Sequence, residues 1–383
     1  VNQVPNPFKY GDVVTGENFC NREQEKKQLK EAIESGQNTL IFSERRMGKT
    51  SLIKEVINEL DDANVSSVYI DLWPTDDRVS FAQALGQGIA KHLRARLEKT
   101  LITLKGWFQA FRITSSVNQD GEFSFSFDFI GETDKFKLDD ILEVPKKLSK
   151  KVGHPIVIIF DEIQEIAEYN TDYVEKKLRS VIQHHSDVTY IFLGSRRHII
   201  HEMFMDRSSP FYHSAKKLPL STIETDAWIP FIQERFLADQ RKISKKHIRK
   251  ICEITEGHPK YTQHFCEALW SQTESNTEIT DDNIQQARNK VLREDSYAYT
   301  VIIENLSKNQ KRLLVGLANE GKEASVYSKE FMTKHRLSGH SSVQQAMSSL
   351  QEKDLVDKEE DGYIILDRFF KLWLTREYSQ NGG

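Results

Sequence analysis

Between the apolar run Thr39-Leu40-Ile41-Phe42 and a helical pattern that opens at Lys49 lies the octet Ser43-Glu44-Arg45-Arg46-Met47-Gly48-Lys49-Thr50. The helix behind it, Lys49 to Leu60, places Leu52, Val56, Ile57 and Leu60 on one face. A glycine-containing polar loop between a buried strand and an amphipathic helix is the setting in which backbone amides turn inward around phosphate, at the positive end of the helix. Gly48 lets the backbone approach closely, Lys49 supplies a cation to the outer phosphates, and Thr50, followed by Ser51, offers a hydroxyl to Mg²⁺. The octet matches the phosphate-binding pattern except at its first position, where Ser43 stands in place of glycine.

The rest of the first half repeats the strand–helix rhythm. Asn21 can cap a helix running to about Ser35, with Gln24 three residues on and Gly36 as its stop. Val65 to Leu72 reads as a second strand and Phe81 to Leu97 as a second helix. Residues 98–139 read as an insertion. Phe123, Phe125, Phe127 and Phe129 alternate with Ser124, Ser126 and Asp128, a period of two that predicts a strand. Asp120-Gly121 signals a hairpin turn, and Phe111, Ile113 and Ser115 form the partner strand. Such a hairpin packs its Phe face on the domain, or else offers an edge for assembly. The rhythm resumes at Leu138. Ile156-Val157-Ile158-Ile159-Phe160 is apolar throughout, as for a central parallel strand covered on both faces. Tyr173 to His184 is helical, and Thr189 to Leu193 is a further strand.

Three more segments carry polar groups at places where such a sheet would expose them. Asp161 and Glu162 follow the apolar strand, and two acids there are costly unless a cation or a water network meets them. Asp161 suits the Mg²⁺ shell, and Glu162 suits polarising an attacking water. Gly194-Ser195-Arg196-Arg197 follows the next strand, which should lie between the other two, so that Arg196 or Arg197 can reach the outermost phosphate. Gly257-His258-Pro259 is a helix stop and restart among helical stretches at Asp226–Ala238, Ser244–Glu256, Pro259–Thr273 and Asp281–Leu306. From Ser307 the order becomes helix, short helix, helix, then two strands around Asp361-Gly362, which is a winged helix.

Composition narrows the class further. The 383 residues are 38% apolar and 29% charged, which suits two or three globular domains. No apolar run approaches a membrane span, and no secretory signal is visible at Val1-Asn2-Gln3-Val4-Pro5. Cys20, Cys252 and Cys266 are scattered without metal-like spacing and fit free thiols in a reducing compartment, so a cytoplasmic location is expected. A net charge of −4 removes any global electrostatic case for nucleic acid. Locally, the recognition helix of the winged helix, Ser341 to Lys353, carries one firm cation, Lys353. The wing sets Asp354, Asp357, Glu359, Glu360 and Asp361 against Lys358 alone. Phosphate contacts need Lys or Arg, so these charges favour packing on the core or meeting a protein partner over DNA. The run Arg241-Lys242, Lys245-Lys246, Arg249-Lys250 is the better nucleic-acid candidate, with a solvated helix face as its plainer reading.

The ordered set of segments resembles the archaeal-type predicted ATPases, in the STAND branch of AAA+-related P-loop ATPases. The resemblance spans nearly the whole chain. It includes Asn6-Pro7-Phe8, Asn21-Arg22-Glu23, Arg45 to Leu52, Asp161-Glu162-Ile163-Gln164, Gly194 to His198, Pro210-Phe211-Tyr212, Gly257-His258-Pro259 and Asp367 to Leu374. It implies an α/β fold: a P-loop NTPase parallel-sheet core of the ASCE/AAA+-like kind over residues 1–222, a helical lid over 223–304 and a winged helix over 305–383. By the same resemblance Arg196 falls on the sensor arginine. His258 and Pro259 fall on the lid motif near base and sugar, and Val13, Val14 and Thr15 fall where adenine is held. Arg368 stands where the family often has proline, which is expected to loosen the last turn of the winged helix. The implied function is an ATP/ADP-binding, Mg²⁺-dependent ATPase acting as a conformational switch. Glu162, Lys49 and Arg196 are its catalytic groups, and Thr50 and Asp161 hold the metal. A DNA-handling ATPase like the origin-recognition initiators, and a nucleotide-locked scaffold with little turnover, are the alternatives. A phosphotransferase is disfavoured, since no separate acceptor site is evident.

Overall fold

The computed structural model describes residues 4–60, 65–93, 97–117, 123–130, 137–359 and 362–378. Two compact units divide the chain: Arg22–Arg45 with Lys49–Leu220 form one, and the segment up to Asn21, Arg46–Gly48 and everything from Ser221 form the other.

The unit around Lys49–Leu220 is built from helices α1 (Glu23–Glu34), α2 (Lys49–Leu60), α3 (Arg78–His92), α4 (Leu97–Trp107), α5 (Leu138–Leu142), α6 (Val144–Val152), α7 (Tyr173–Ile182) and α8 (Arg197–Met205). Its strands are β1 (Thr39–Phe42), β2 (Ser66–Asp71), β3 (Phe111–Val117), β4 (Phe123–Phe129), β5 (Ile156–Asp161), β6 (Val188–Gly194) and β7 (Lys216–Pro219). Five of these strands make one parallel sheet in the order β2-β5-β6-β1-β7. Every residue of β5 and β6 is buried, as uninterrupted apolar strands require when helices cover both faces. β6 lies between β5 and β1, the place expected of it. Because the strands run parallel, the loops after β1, β5 and β6 all leave the same edge of the sheet.

Several boundaries differ from the sequence expectation. Arg22, not Asn21, occupies the cap position of α1, and both residues take left-handed backbone conformations, with φ of 75° and 57°. The Arg22 guanidinium is buried and pairs with Glu25 at 2.9 Å. α3 begins three residues before Phe81 because the Asp77 carboxylate accepts from the amides of Val79 and Ser80 at 2.9 and 2.8 Å, fixing the helix start. The edge strand β7 carries no alternation of its own and exists through its pairing with β1.

In the insertion, β3 and β4 pair antiparallel with Ile113 opposite Phe127 and Ser115 opposite Phe125. Ile113, Phe125 and Phe127 are buried, so the Phe face packs inward. Phe127 lies over Gly86 of α3 so closely that a Cβ there would sit 2.6 Å from the ring. The predicted turn at Asp120-Gly121 lies outside the described residues.

The second unit contains α9 (Thr225–Leu237), α10 (Lys245–Thr255), α11 (Pro259–Ser271), α12 (Asp281–Glu294), α13 (Ser296–Glu304), α14 (Lys308–Glu320), α15 (Lys329–Lys334), α16 (His340–Glu352), β8 (Val356–Glu359), β9 (Gly362–Ile365) and α17 (Arg368–Tyr378). The helical stretch expected over 281–306 breaks at Asp295 into α12 and α13. α14 to β9 have the winged-helix order. One hydrophobic core runs from the α9–α12 helices through the winged helix, including Phe265, Leu292, Leu313, Phe369 and Leu374. Arg368 does not loosen the winged helix. Its guanidinium is buried, donates to the carbonyls of Ile365 and Leu366 at 3.2 and 3.0 Å, and lies 2.9 Å from the Glu256 carboxylate at the end of α10.

Candidate functional site

The loop between β1 and α2 owes its shape to two left-handed residues, Arg46 at φ 64° and Gly48 at φ 88°. Ser43 is not among the residues with positive φ, so a glycine is not required where the usual pattern has one. The Ser43 side chain is buried, and its hydroxyl donates to the Glu44 carbonyl at 3.0 Å. Met47 is buried, Arg46 is exposed, and the Arg45 guanidinium lies 5.0 Å from the Trp73 ring centroid. Helix α2 starts at Lys49, so the backbone amides of its first turn open onto the loop.

Lys49 is buried, and its Nζ donates to the Glu44 carbonyl at 3.1 Å and to the Ser43 carbonyl and hydroxyl at 3.4 and 3.3 Å. Burial lowers its pKa to about 8. The negative charges of Glu162, Asp161 and Glu44 oppose that shift, and Arg197 adds to it. An anion at the loop would restore the charged form.

Asp161 and Glu162, at the end of β5, separate into two roles by their surroundings. The Asp161 Oδ2 accepts from the Thr50 hydroxyl at 3.0 Å and from the Tyr69 hydroxyl on β2. Burial pushes the Asp161 carboxyl up; the Tyr69 hydrogen bond opposes this, the Glu162 charge adds to it, and Thr50 and Lys49 oppose it. Glu162 is half-buried and takes a left-handed backbone, φ 54°. Its Oε2 accepts from the Ser195 hydroxyl at 2.6 Å and from the Gln164 amide. Arg196 sits at the start of α8, and its guanidinium is 3.6 Å from Glu168.

A hydroxyl and a desolvated carboxylate in contact form an all-oxygen pair that fits a hard divalent cation. Among the described residues no cluster of three His, Cys, Asp or Glu side chains could hold a metal alone.

The structure thus brings Ser43 to Ser51, Asp161, Glu162 and the Gly194–Arg196 turn to one edge of the parallel sheet. Tyr69, Gln164 and Ser195 border these side chains, and sequence reasoning assigned none of them a role, although Gln164 and Ser195 stand in the segments quoted above. The even spacing of β2 could have flagged Tyr69, whereas Gln164 and Ser195 gave no separable signal. The remaining predicted residues, like Arg46–Gly48 of the loop, belong to the other unit. Val13 is exposed, and Val14 and Thr15 are half-buried just before a short 3-10 helix at Gly16–Asn18. His258 is buried and caps α11, its Nδ1 accepting from the Lys260 amide at 3.2 Å, with Pro259 at the first helical position. Gly257 before it is required: at φ 64° a Cβ would stand 2.4 Å from the Ile223 carbonyl oxygen.

The candidate nucleic-acid run straddles the start of α10, and within it Arg241, Lys246 and Lys250 have carboxylate partners. Arg241 is buried, stacked 3.9 Å from the Trp270 ring centroid and paired with Asp239 at 2.9 Å. Lys246 and Lys250 face Asp281 at 3.6 and 2.8 Å. On α16, Ser342 and Ser349 accept from Asn309 and Gln310 of α14 at 2.5 and 2.9 Å. No described helix is long and apolar enough to cross a membrane.

Comparison with known proteins agrees with this architecture. The family described as an ATPase domain predominantly from Archaea matches residues 19–265, and a probable winged helix domain matches residues 297–376. Among solved structures, the Walker-type ATPase paby2304 of Pyrococcus abyssi is similar at TM-score 0.64 and 17% identity, over 96% of this chain and 99% of that one. The ORC2 protein of Aeropyrum pernix, in its ADPNP–ADP complexes, is similar at TM-score 0.52 and 12% identity, over 97% of this chain and 99% of that one. At such identities these likenesses speak for the fold. No curated protein matches the chain. With the P-loop, the acid pair after β5, the five-stranded parallel sheet and the family match over most of its length, the chain belongs to the ATPase domain family found predominantly in Archaea.

Proposed function

We propose that the protein binds ATP at the Ser43–Ser51 loop and hydrolyses it to ADP and phosphate, acting as a nucleotide-dependent switch of STAND type. The observation that carries the reading is the convergence of Lys49, Thr50, Asp161 and Glu162 on one sheet edge, with Thr50 and Asp161 in direct contact at 3.0 Å. Lys49 would meet the outer phosphates. Thr50 and Asp161 would hold Mg²⁺, which when bound neutralises charge on the phosphate oxygens. Glu162 would orient and deprotonate the attacking water: it is a half-buried carboxylate that follows Asp161 directly in the chain. Arg196, at the start of α8, would report the presence of the outermost phosphate. His258 and Pro259, with Val13, Val14 and Thr15, are proposed to meet the base and sugar, and residues 223–304 and 305–383 to act as lid and winged-helix domains.

The test is binding and turnover together. Lys49→Ala should greatly weaken ATP binding in calorimetry. Glu162→Gln should keep binding and slow phosphate release by roughly 10²–10⁴-fold, as loss of a general base does. Unchanged ATP affinity in the first variant would remove the loop assignment. For the switch, hydrogen exchange over residues 224–375 should differ between ATP-analogue and ADP forms, and Arg196→Ala should erase the difference. Identical patterns in a protein that binds both nucleotides would leave a structural nucleotide instead.

A further inference from the structure

Glu162 is not held by the phosphate loop. It is held from the neighbouring strand. Its Oε2 accepts from the Ser195 hydroxyl at 2.6 Å and from the Gln164 amide, and Gln164 also reaches Ser195 twice. The Gln164 Nε2 lies 3.4 Å from the Ser195 hydroxyl, and the Ser195 backbone amide donates to the Gln164 Oε1 at 3.2 Å. Gln164 is fully buried and Ser195 nearly so. These three side chains therefore close a ring that joins the turn after β5 to the turn after β6. Both hydrogen bonds to Glu162 fall on one oxygen of its carboxylate, Oε2.

Two backbone features are organised around this ring. Glu162 takes a left-handed conformation that a non-glycine residue adopts only when its surroundings hold it there. Gly194 precedes Ser195, and a Cβ at that position would lie 2.3 Å from the Ile200 side chain and 3.3 Å from the Gln164 Oε1. A side chain at 194 would have to displace the buried Ile200 side chain of α8.

We infer that Ser195 and Gln164 are positioning residues that fix Glu162 for water activation and tether it to the turn carrying Arg196. The inference rests on the assignment of Glu162 as the base. Hydrogen bonds to a charged acceptor are strong when desolvated, and a catalytic carboxylate displaced by about 1 Å loses much of its effect. Ser195 is next to Arg196 in the chain, so a movement of that turn on loss of the outer phosphate would be passed to the carboxylate through a single hydroxyl.

The experiment is a double-mutant cycle on the full chain, reading ATP hydrolysis under single-turnover conditions and ADP affinity by calorimetry. Ser195→Ala should lower the hydrolysis rate about tenfold or more, leave ADP affinity and KM for ATP within about twofold, and be largely rescued by Ser195→Thr, which keeps the hydroxyl. In a Glu162→Gln background, Ser195→Ala should cause no further loss. Equal fractional losses in both backgrounds, or a parent-like rate for Ser195→Ala where Glu162→Gln is slow, overturn the positioning role alone. Equal rates for parent and Glu162→Gln overturn the base assignment, and the ring's role with it. Should Ser195→Ala fail to fold, Gln164→Met carries the same cycle with the same outcomes.

Discussion

Burial holds the Lys49 ammonium at a pKa of about 8, against the pull of Glu162, Asp161 and Glu44. Above that pH the nucleotide-free protein carries a neutral lysine, whereas bound phosphate favours the charged one. Binding near pH 8.5 should therefore take up a fraction of a proton, and affinity should fall as pH rises from about 7.5 to 9.5, since the ligand must then supply the cost of protonation. Calorimetry of ADP binding in buffers of different ionisation enthalpy measures the uptake directly. Lys49→Arg, which stays charged throughout the range, should bind with no proton uptake and a flat profile. The residue identities at this loop were legible in the sequence, because strand, loop and helix are local patterns. The Ser43 departure could be judged harmless only once its backbone was seen outside the left-handed region.

The β3–β4 hairpin shows what a period of two does and does not specify. The alternation of Phe123 to Phe129 predicts the strand and its apolar face, and the register with Phe111 to Val117 follows. It does not say where that face packs. The answer is Gly86, where the missing side chain makes room for Phe127, and Gln83 donates to the Phe127 carbonyl at 2.6 Å. Phe127→Ala should cost about 3–5 kcal/mol of stability by denaturant unfolding, as large buried aromatics do when truncated. Gly86→Ala should also destabilise, since its Cβ would fall 2.6 Å from the buried Phe127 ring. A parent-like midpoint in both variants would mean that the hairpin packs elsewhere. α4 went unread because it sits inside a segment whose hairpin signal dominated, and β7 because four residues are too few to show a period.

In the unit that holds α9 to α17, one acid ties the end of α10 to the last helix of the winged helix. Glu256, in a left-handed conformation ahead of the Gly257 turn, faces Arg368 at 2.9 Å and Lys371 at 2.5 Å, both from α17. Arg368 is buried among backbone carbonyls, while Lys371 and Glu256 are partly solvated. Arg368→Ala should lower stability by about 2–3 kcal/mol, and Lys371→Ala by less than about 1 kcal/mol, because a screened ion pair contributes little. Thermal unfolding of both variants tests the ranking, and a larger loss for Lys371→Ala would reverse it. A proline at 368 would lack all these contacts.

What the sequence by itself determined was everything set by neighbours along the chain: the phosphate loop, the buried parallel strands, the acid pair at the end of β5 and the winged-helix order. Each is a local pattern of period, cap or spacing, and such patterns survive without knowledge of the rest of the molecule. What only the tertiary structure decided was which distant polar groups meet. Tyr69 reaches Asp161 because β2 and β5 pair in register, Ser195 reaches Glu162 because β6 lies beside β5, and Arg368 reaches Glu256 because α17 packs on α10. Such partnerships depend on strand order and helix packing, and a buried polar group accepts whatever partner the packing brings within reach.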